Sequence, residues 1–123
     1  MIARICSMAT IFACVSTQAA EQKGWDGRAK PLAGDYQVYG GTVAEMQPPT
    51  RKDRKVSLKF TGALAKELFD QIGPDAKISC SDDPAYRERN RGHISCTYFK
   101  DEGYTCYLGL DVISGKSTHG SIC

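Results

Sequence analysis

The chain has no apolar run long enough to cross a bilayer and no strong excess of charge of either sign. Its longest apolar stretch, 5–15, covers about 11 residues, whereas a membrane-spanning helix needs roughly 20. The formal net charge is +2, from 16 basic and 14 acidic residues. Domains that bind nucleic acid are usually strongly basic. We therefore expect neither a transmembrane segment nor a nucleic-acid partner.

Catalytic and cofactor motifs are also missing. The sequence contains no H-E-x-x-H, no G-x-S-x-G and no glycine-rich loop that could cradle a phosphate. Zinc sites usually bring cysteines in close pairs, but the four cysteines of the C-terminal third are separated by 16, 10 and 17 positions. We therefore predict a non-enzymatic protein with no catalytic residue, no cofactor and no metal site.

Residues 1–19 have the pattern of a secretory signal peptide. Arg4 supplies a positive charge, the short apolar run follows, and Thr17 and Ala19 are small residues at the positions that precede a cleavage before Ala20. A buried N-terminal helix is the alternative, but the charge and the small residues favour export. The predicted location is therefore the periplasm or the extracellular space.

A lipid anchor at Cys14 is a minor alternative. The segment 11–14 loosely resembles a lipobox, but Phe12 is a poor residue in such a motif, and the apolar run before it would be very short. We do not expect lipidation.

If the protein is exported, its remaining cysteines are expected to form disulfides. Cleavage removes two cysteines with the leader and leaves an even number, which fits a closed set of disulfides in an oxidising compartment. A domain of about 100 residues has a small core, so two disulfides would add useful stability. The predicted disulfide cysteines are Cys80, Cys96, Cys106 and Cys123.

The pattern of apolar residues predicts an α+β fold. Residues 20–34 are polar and predict an extended N-terminal arm, and 35–123 predict a single domain. Strands are expected within 35–46 and over 56–60, where apolar and polar residues alternate. Residues 62–72 form an amphipathic helix that Thr61 can cap and that Gly73-Pro74 ends.

The C-terminal third predicts a meander of short strands. Ile78 and Cys80 would share a face of the first strand, and apolar residues alternate again over 94–98 and 104–110. Together with the upstream strands this gives an antiparallel sheet of about four or five strands, with the helix packed on one face.

Turn lengths give a prediction of disulfide connectivity. A three-residue loop at 101–103 would pair Lys100 with Tyr104 and place Cys96 and Cys106 diagonally, near or beyond disulfide reach. A two-residue turn at 114–115 would place Cys106 opposite Cys123. We therefore prefer Cys80–Cys96 with Cys106–Cys123. The second choice is Cys80–Cys106 with Cys96–Cys123.

The segment 81–92 is the predicted binding surface. It would be a loop held at its base by a Cys80–Cys96 disulfide, and it is rich in tyrosine and arginine, the residue types most often found at interface hot spots. The alternative is an ordinary solvated loop with scattered charges. The predicted contact residues are Tyr86, Arg87, Arg89 and Arg91.

The leading functional prediction is a small exported binding module, such as an inhibitor or immunity-type protein that acts on another extracytoplasmic protein. A small secreted hydrolase is the first alternative, with His93 or His119 as general base. It requires a histidine in a concave pocket, within hydrogen-bond reach of a carboxylate or hydroxyl. An envelope-structural protein is the second alternative, and an exposed apolar patch involving Trp25, Tyr39 and Tyr107 would favour it.

Overall fold

The computed structural model describes residues 24–123. The predicted signal peptide, the cleavage before Ala20 and the lipobox alternative at Cys14 lie outside the described residues. Residues 25–33 have no regular structure and are exposed. The sheet begins at Gly34.

Seven antiparallel strands and one helix make up the rest of the chain. Five strands have five or more residues, and two have only two. The elements are β1 (Gly34–Gly41), β2 (Met46–Gln47), β3 (Lys55–Thr61), α1 (Gly62–Gln71), β4 (Arg87–Arg91), β5 (Ile94–Phe99), β6 (Gly103–Asp111) and β7 (Ser117–Thr118). The strand order is β2-β1-β3-β6-β5-β4, with β7 paired to β6. The predicted α+β class is confirmed.

The helix packs on one face of the sheet, which we call the helix face. Ala65, Phe69 and Ile72 form the buried side of α1, at the three-to-four-residue spacing of an amphipathic helix. They pack against Cys96 and Cys106, both fully buried. Partly buried residues complete this core, namely Phe60, Leu68, Ile94, Tyr98 and Tyr104. The helix predicted over 62–72 is confirmed to within one residue.

Two secondary-structure predictions in the third quarter of the chain are wrong. Residues 77–80 form no strand, and Ile78 is 90% exposed. The segment 81–92, predicted as a loop, is irregular only in its first half, because Arg87–Arg91 forms the edge strand β4 against β5. The sequence of β4 has no apolar alternation. Its extended form depends on backbone pairing with β5.

All four predicted cysteines form disulfides, but both predicted connectivities are wrong. The bonds are Cys80–Cys123 and Cys96–Cys106. The cause lies in the β5–β6 turn, where Phe99 pairs with Gly103 and Glu102 N–H donates to Phe99 O. The turn is centred one residue earlier than predicted, so the register moves by two residues. This shift places Cys96 directly opposite Cys106.

The second turn is longer than predicted. Gly109 pairs with Thr118, and Asp111 N–H donates to Lys116 O, so the turn has four residues, 112–115, between this last bonded pair rather than the predicted two. Because β7 ends at Thr118, the last residues leave the edge of β6. They therefore carry Cys123 away from Cys106 and towards Cys80.

The last five residues, 119–123, form a C-terminal segment that lies over the face opposite the helix, which we call the open face. Gly120 is buried, and its carbonyl accepts a 2.5 Å hydrogen bond from the Ser57 hydroxyl on β3. A Cβ atom on Gly120 would lie 2.6 Å from the Leu108 carbonyl carbon. The crossing is therefore close enough to require glycine.

Candidate functional site

A cavity of about 520 Å³, lined by both polar and apolar groups, opens on the open face of the sheet, between β4, β5, β6 and the C-terminal segment. Directly paired strand residues share a face, so Glu88 and Thr97 point into it together, as do Asn90 and Ser95. Its lining residues are Cys80, Tyr86, Glu88, Asn90, Ser95, Thr97, Glu102, Tyr107, His119, Ser121, Ile122 and Cys123.

Glu88 lies at the base of this cavity and is only 6% exposed. Its two carboxylate oxygens accept hydrogen bonds from the Tyr86 hydroxyl at 3.3 Å and from the Asn90 amide at 3.2 Å. Within residues 24–123 no lysine, arginine or histidine lies within ion-pair distance of it. A buried carboxylate is costly unless it is paired with a cation or fully hydrogen-bonded. Glu88 therefore offers an acceptor to a cationic group that enters the cavity.

Tyr86 fixes the position of this carboxylate. Burial in the cavity wall, with the negative charge of Glu88 beside it, raises the pKa of the Tyr86 hydroxyl to about 12. The hydroxyl therefore stays protonated at physiological pH and donates its hydrogen bond to Glu88. Tyr86 and Tyr107 both line the cavity and supply aromatic surface.

The Cys80–Cys123 disulfide forms one wall of the cavity. It joins the C-terminal segment to the residues that precede β4, and its cysteines have a sequence separation of 43. The ligand atoms of Cys80, Cys123 and Glu88 lie within 4.8 Å of one another, which is a spacing that metal sites also have. Because the two sulfurs are bonded to each other, they present no thiolates. In this oxidised form the disulfide acts as a covalent brace.

The four predicted contact residues are not on one surface. Tyr86 points to the open face, whereas the arginines of β4 point to the helix face. Arg87 and Arg89 both donate to the carboxylate of Asp75, at 2.9 and 2.7 Å. Arg91 donates to Gly73 O at 3.3 Å. The structure therefore brings Tyr86 together with Glu88 and separates it from the three arginines, whose role in binding stays a prediction.

The arginine contacts have a structural explanation. Arg89 donates to Phe69 O at 2.8 Å, and its guanidinium carbon lies 4.3 Å from the centre of the Phe69 ring. The last turn of α1 has no basic residue of its own. Arg89 therefore supplies positive charge and a hydrogen bond to the unpaired carbonyls at the negative end of the helix dipole.

The two histidines lie side by side. The ring centres of His93 and His119 are 4.8 Å apart, and His93 Nδ1 is 2.8 Å from the Ser117 hydroxyl. Both histidines are exposed, although His119 also borders the cavity. In the described part of the chain neither imidazole forms a hydrogen bond or ion pair with a carboxylate. One requirement of the hydrolase alternative, a hydroxyl within reach, is thus present at His93.

The aromatic patch named for an envelope-structural protein is not formed by the predicted residues. Trp25 is 80% exposed in the arm, Tyr39 is only 3% exposed, and Tyr107 lines the cavity. Because Tyr39 is buried, it cannot contribute to such a patch, and the envelope-structural alternative stays a prediction.

Sequence reasoning missed Glu88 and Asn90, the polar residues that define the cavity. The period-two spacing of Tyr86, Glu88 and Asn90 would have placed them on one face if 86–91 had been recognised as a strand. That spacing was the only available signal.

Comparison of the chain with protein-family models, with curated proteins and with solved structures found no match. No helix in residues 24–123 has the length and apolar character needed to span a membrane. The two disulfides are compatible with an extracellular protein.

Proposed function

We propose that the protein is an exported, non-enzymatic binding module that recognises a basic side chain of another extracytoplasmic protein, as an inhibitor or immunity-type protein would. The cavity around Glu88 is the proposed recognition site. The observation that carries this proposal is a carboxylate that is 6% exposed, lines the cavity and has no ion-pair partner in residues 24–123. Export is supported by the predicted leader and by the two disulfides.

A guanidinium or ammonium group matches the cavity wall. Glu88 would accept a charge-assisted hydrogen bond, with two parallel bonds if the guest is arginine. Tyr86 and Tyr107 would contact the guest through their ring faces, which attract cations. Glu102 also lines the cavity and adds negative charge. A basic guest is therefore favoured over an acidic or neutral one.

The frame around the cavity would limit the entropy lost on binding. The Cys80–Cys123 disulfide and the Ser57–Gly120 hydrogen bond both fix the C-terminal segment over the sheet. A cavity that is already formed before the guest arrives loses little freedom when it binds. This supports a role in tight protein recognition.

The test is affinity capture from a cell-envelope extract with the immobilised, oxidised chain. We expect the wild type to retain partner proteins that Glu88→Gln does not retain, because the substitution keeps the shape and removes the charge. Glu45→Gln, at an exposed turn residue, is the matched control and should retain the same proteins as the wild type. Nα-acetyl-arginine amide should displace them, and the neutral citrulline analogue should not. Equal capture by Glu88→Gln would refute the proposed site.

A hydrolase is the second candidate, and the His93–Ser117 hydrogen bond is the observation that favours it. If Ser117 were a nucleophile activated by His93, diisopropyl fluorophosphate would phosphorylate its hydroxyl with loss of fluoride. Our proposal predicts no adduct at Ser117 by peptide mass spectrometry. An adduct that disappears in His93→Ala would favour the hydrolase.

A further inference from the structure

Most of β1 is an unprotected edge strand. β2 pairs only with Gly40 and Gly41, so 34–39 has β3 on one side and, among the described residues, no strand on the other. The side chains from Asp35 to Val38 are exposed on both faces. Natural edges are usually blocked by charge, proline or a bulge. The segment from Tyr36 to Gly40 has neither charge nor proline.

The same edge borders an uncovered apolar surface. Helix α1 packs over the end of the sheet that contains Phe60, and among residues 24–123 no other element covers the opposite end of the helix face. Tyr36 is 70% exposed, Val38 39% and Leu110 38%. Register places six residues in two adjacent cross-strand rows, Tyr36–Leu58–Leu108 and Val38–Val56–Leu110. We call these the apolar rows.

The direction of the free backbone groups follows from the ladder. Thr61 N–H donates to Ala33 O, which makes this pair a hydrogen-bonded one. Hydrogen-bonded and non-hydrogen-bonded pairs alternate along an antiparallel ladder, so Asp35 and Gln37 also bond to β3. Tyr36 and Val38 therefore direct their N–H and C=O groups outwards, away from the sheet.

We propose that β1 pairs antiparallel with β1 of a second copy of this chain, around a two-fold axis at Gln37. This register places Tyr36 opposite Val38 of the partner subunit, and Val38 opposite Tyr36 of the partner subunit. Both residues have outward backbone groups, so the two pairs form four hydrogen bonds across the axis. Their side chains lie on the helix face and extend the apolar rows of each copy into one surface.

The two paired strands bring no like charges together. In this register Asp35 lies opposite Tyr39 of the partner subunit, and no like charges face each other. A two-fold interface uses the same patch on both copies, so one self-complementary strand is sufficient to close it. Self-pairing is therefore the occupant that the sequence of β1 favours.

The dimer keeps both Glu88 cavities accessible. Paired strands share their faces, so the two open faces lie on the same side of a continuous sheet. β4 is at one end of the strand order, and three strands (β3, β6 and β5) separate it from β1, so β1 pairing leaves the cavity untouched. The proposal does not depend on the function proposed for Glu88.

Analytical ultracentrifugation of the oxidised chain tests the dimer. We expect the weight-average mass to rise with concentration towards twice that of one chain. Val38→Lys should raise the dimer dissociation constant by about a hundredfold or more, because it places a charge in the centre of the interface. Ile78→Lys is the matched control, an exposed apolar residue distant from β1, and should assemble like the wild type. A wild-type mass of one chain up to about 1 mM, or unchanged assembly of Val38→Lys, would overturn the proposal.

Hydrogen exchange provides a readout without substitution. The Tyr36 and Val38 amides should exchange slowly at high protein concentration and rapidly at low concentration. The Gln37 amide, which bonds to β3 in the single chain, is the internal control and should be much less sensitive to concentration. Exchange of the Tyr36 amide that is independent of concentration would contradict pairing through this edge.

Discussion

Arg89 links β4 to the end of the helix through three contacts. It donates to Asp75 and to Phe69 O, and its guanidinium lies over the Phe69 ring. Its side chain is only 17% exposed, so these contacts are partly shielded from water. Arg91, two positions along the same strand, makes a single 3.3 Å hydrogen bond and is exposed.

The two arginines should therefore differ in their effect on stability. We expect Arg89→Ala to lower the free energy of unfolding by about 2 kcal/mol, since it removes hydrogen bonds to a charged group and to a helix end. Arg91→Ala should cost less than about 0.5 kcal/mol, as is usual for exposed positions. Urea unfolding measures both. Equal losses would show that the Arg89 contacts contribute little.

Asp75 should make the stability depend on pH in the acid range. Hydrogen bonds from Arg87 and then Arg89 lower the pKa of the Asp75 carboxyl from 3.8 to about 2. Because the pKa is lower in the folded state, the stabilisation is complete above pH 3.8 and is lost as the pH falls towards 2. Wild-type stability should fall more steeply between pH 4 and 2 than that of Asp75→Asn. Parallel curves would contradict the assignment.

Residue roles in β4 were hard to predict because the strand has no apolar signature. The sequence Arg87-Glu88-Arg89-Asn90-Arg91 has the composition of a solvated loop, and only pairing with β5 makes it extended. Once it is a strand, period-two alternation sends the arginines to the helix face and Glu88 to the cavity. From residue types alone we predicted a binding segment, but residue types do not show which side chains lie on the same face of the strand.

At the scale of elements, the C-terminal segment depends on close backbone contact with β6. Gly120 lies against the backbone of Leu108 in β6, and a Cβ on Gly109 of β6 would lie 2.6 Å from His119 O of the segment. Both positions have φ values outside the left-handed region, so the requirement is for space rather than for conformation. The segment in turn carries Cys123 to Cys80 and closes the cavity.

Gly120→Ala should disturb this packing. The added methyl would lie 2.6–2.8 Å from the backbone of Leu108, which cannot move without disturbing β6. We expect a loss of about 1–3 kcal/mol in thermal or urea unfolding, as for other overpacked sites. Ser121→Ala is the control next to it and should have a much smaller effect. Wild-type stability of Gly120→Ala would show that the segment can lift away from β6.

Elements with a strong periodic pattern were predicted well. Strand β3 and helix α1 have apolar residues at period two and at three-to-four spacing, and both lie within one residue of the predicted bounds. Turn positions were less certain, because Gly103 with φ of 75° is compatible with more than one loop length. A shift of one residue in that turn was sufficient to exchange the disulfide partners.

At the scale of the whole molecule, the two disulfides have different roles. Cys96–Cys106 joins adjacent strands inside the core, with a sequence separation of 10. Cys80–Cys123 closes a loop with a separation of 43 and fixes the end of the chain over the open face. The chain-entropy argument gives the longer loop the larger stabilisation, about 4 kcal/mol against about 3.

Tryptic mapping without reduction, with free thiols alkylated before digestion to prevent disulfide exchange, distinguishes the three connectivities, because each cysteine falls in a separate tryptic peptide. We expect peptide 78–87 linked to 117–123, and 92–100 linked to 101–116. Free thiols, or a link between 78–87 and 92–100, would contradict the structure. The same digest after reduction identifies each peptide and is the control.

The general architecture was predictable because the four cysteines and the periodic apolar patterns of helix and strands indicate the same class of small, disulfide-stabilised α+β protein. The cavity was not predictable, since it depends on three distant segments that meet only after folding. Glu88 enters it from β4, Tyr107 from β6, and Cys123 from the end of the chain. Long-range register decides this juxtaposition, and no local pattern in the sequence encodes it.

Recognition of a cationic group by Glu88 is most directly tested by titrating the ¹⁵N-labelled, oxidised chain with Nα-acetyl-arginine amide and with its neutral citrulline analogue. We predict that arginine shifts the amide signals of Glu88, Asn90 and Thr97, and that citrulline does not. Glu88→Gln should weaken arginine binding about tenfold or more, since a charge-assisted hydrogen bond is lost. Equal affinity for the two compounds, or for wild type and Glu88→Gln, would contradict the account.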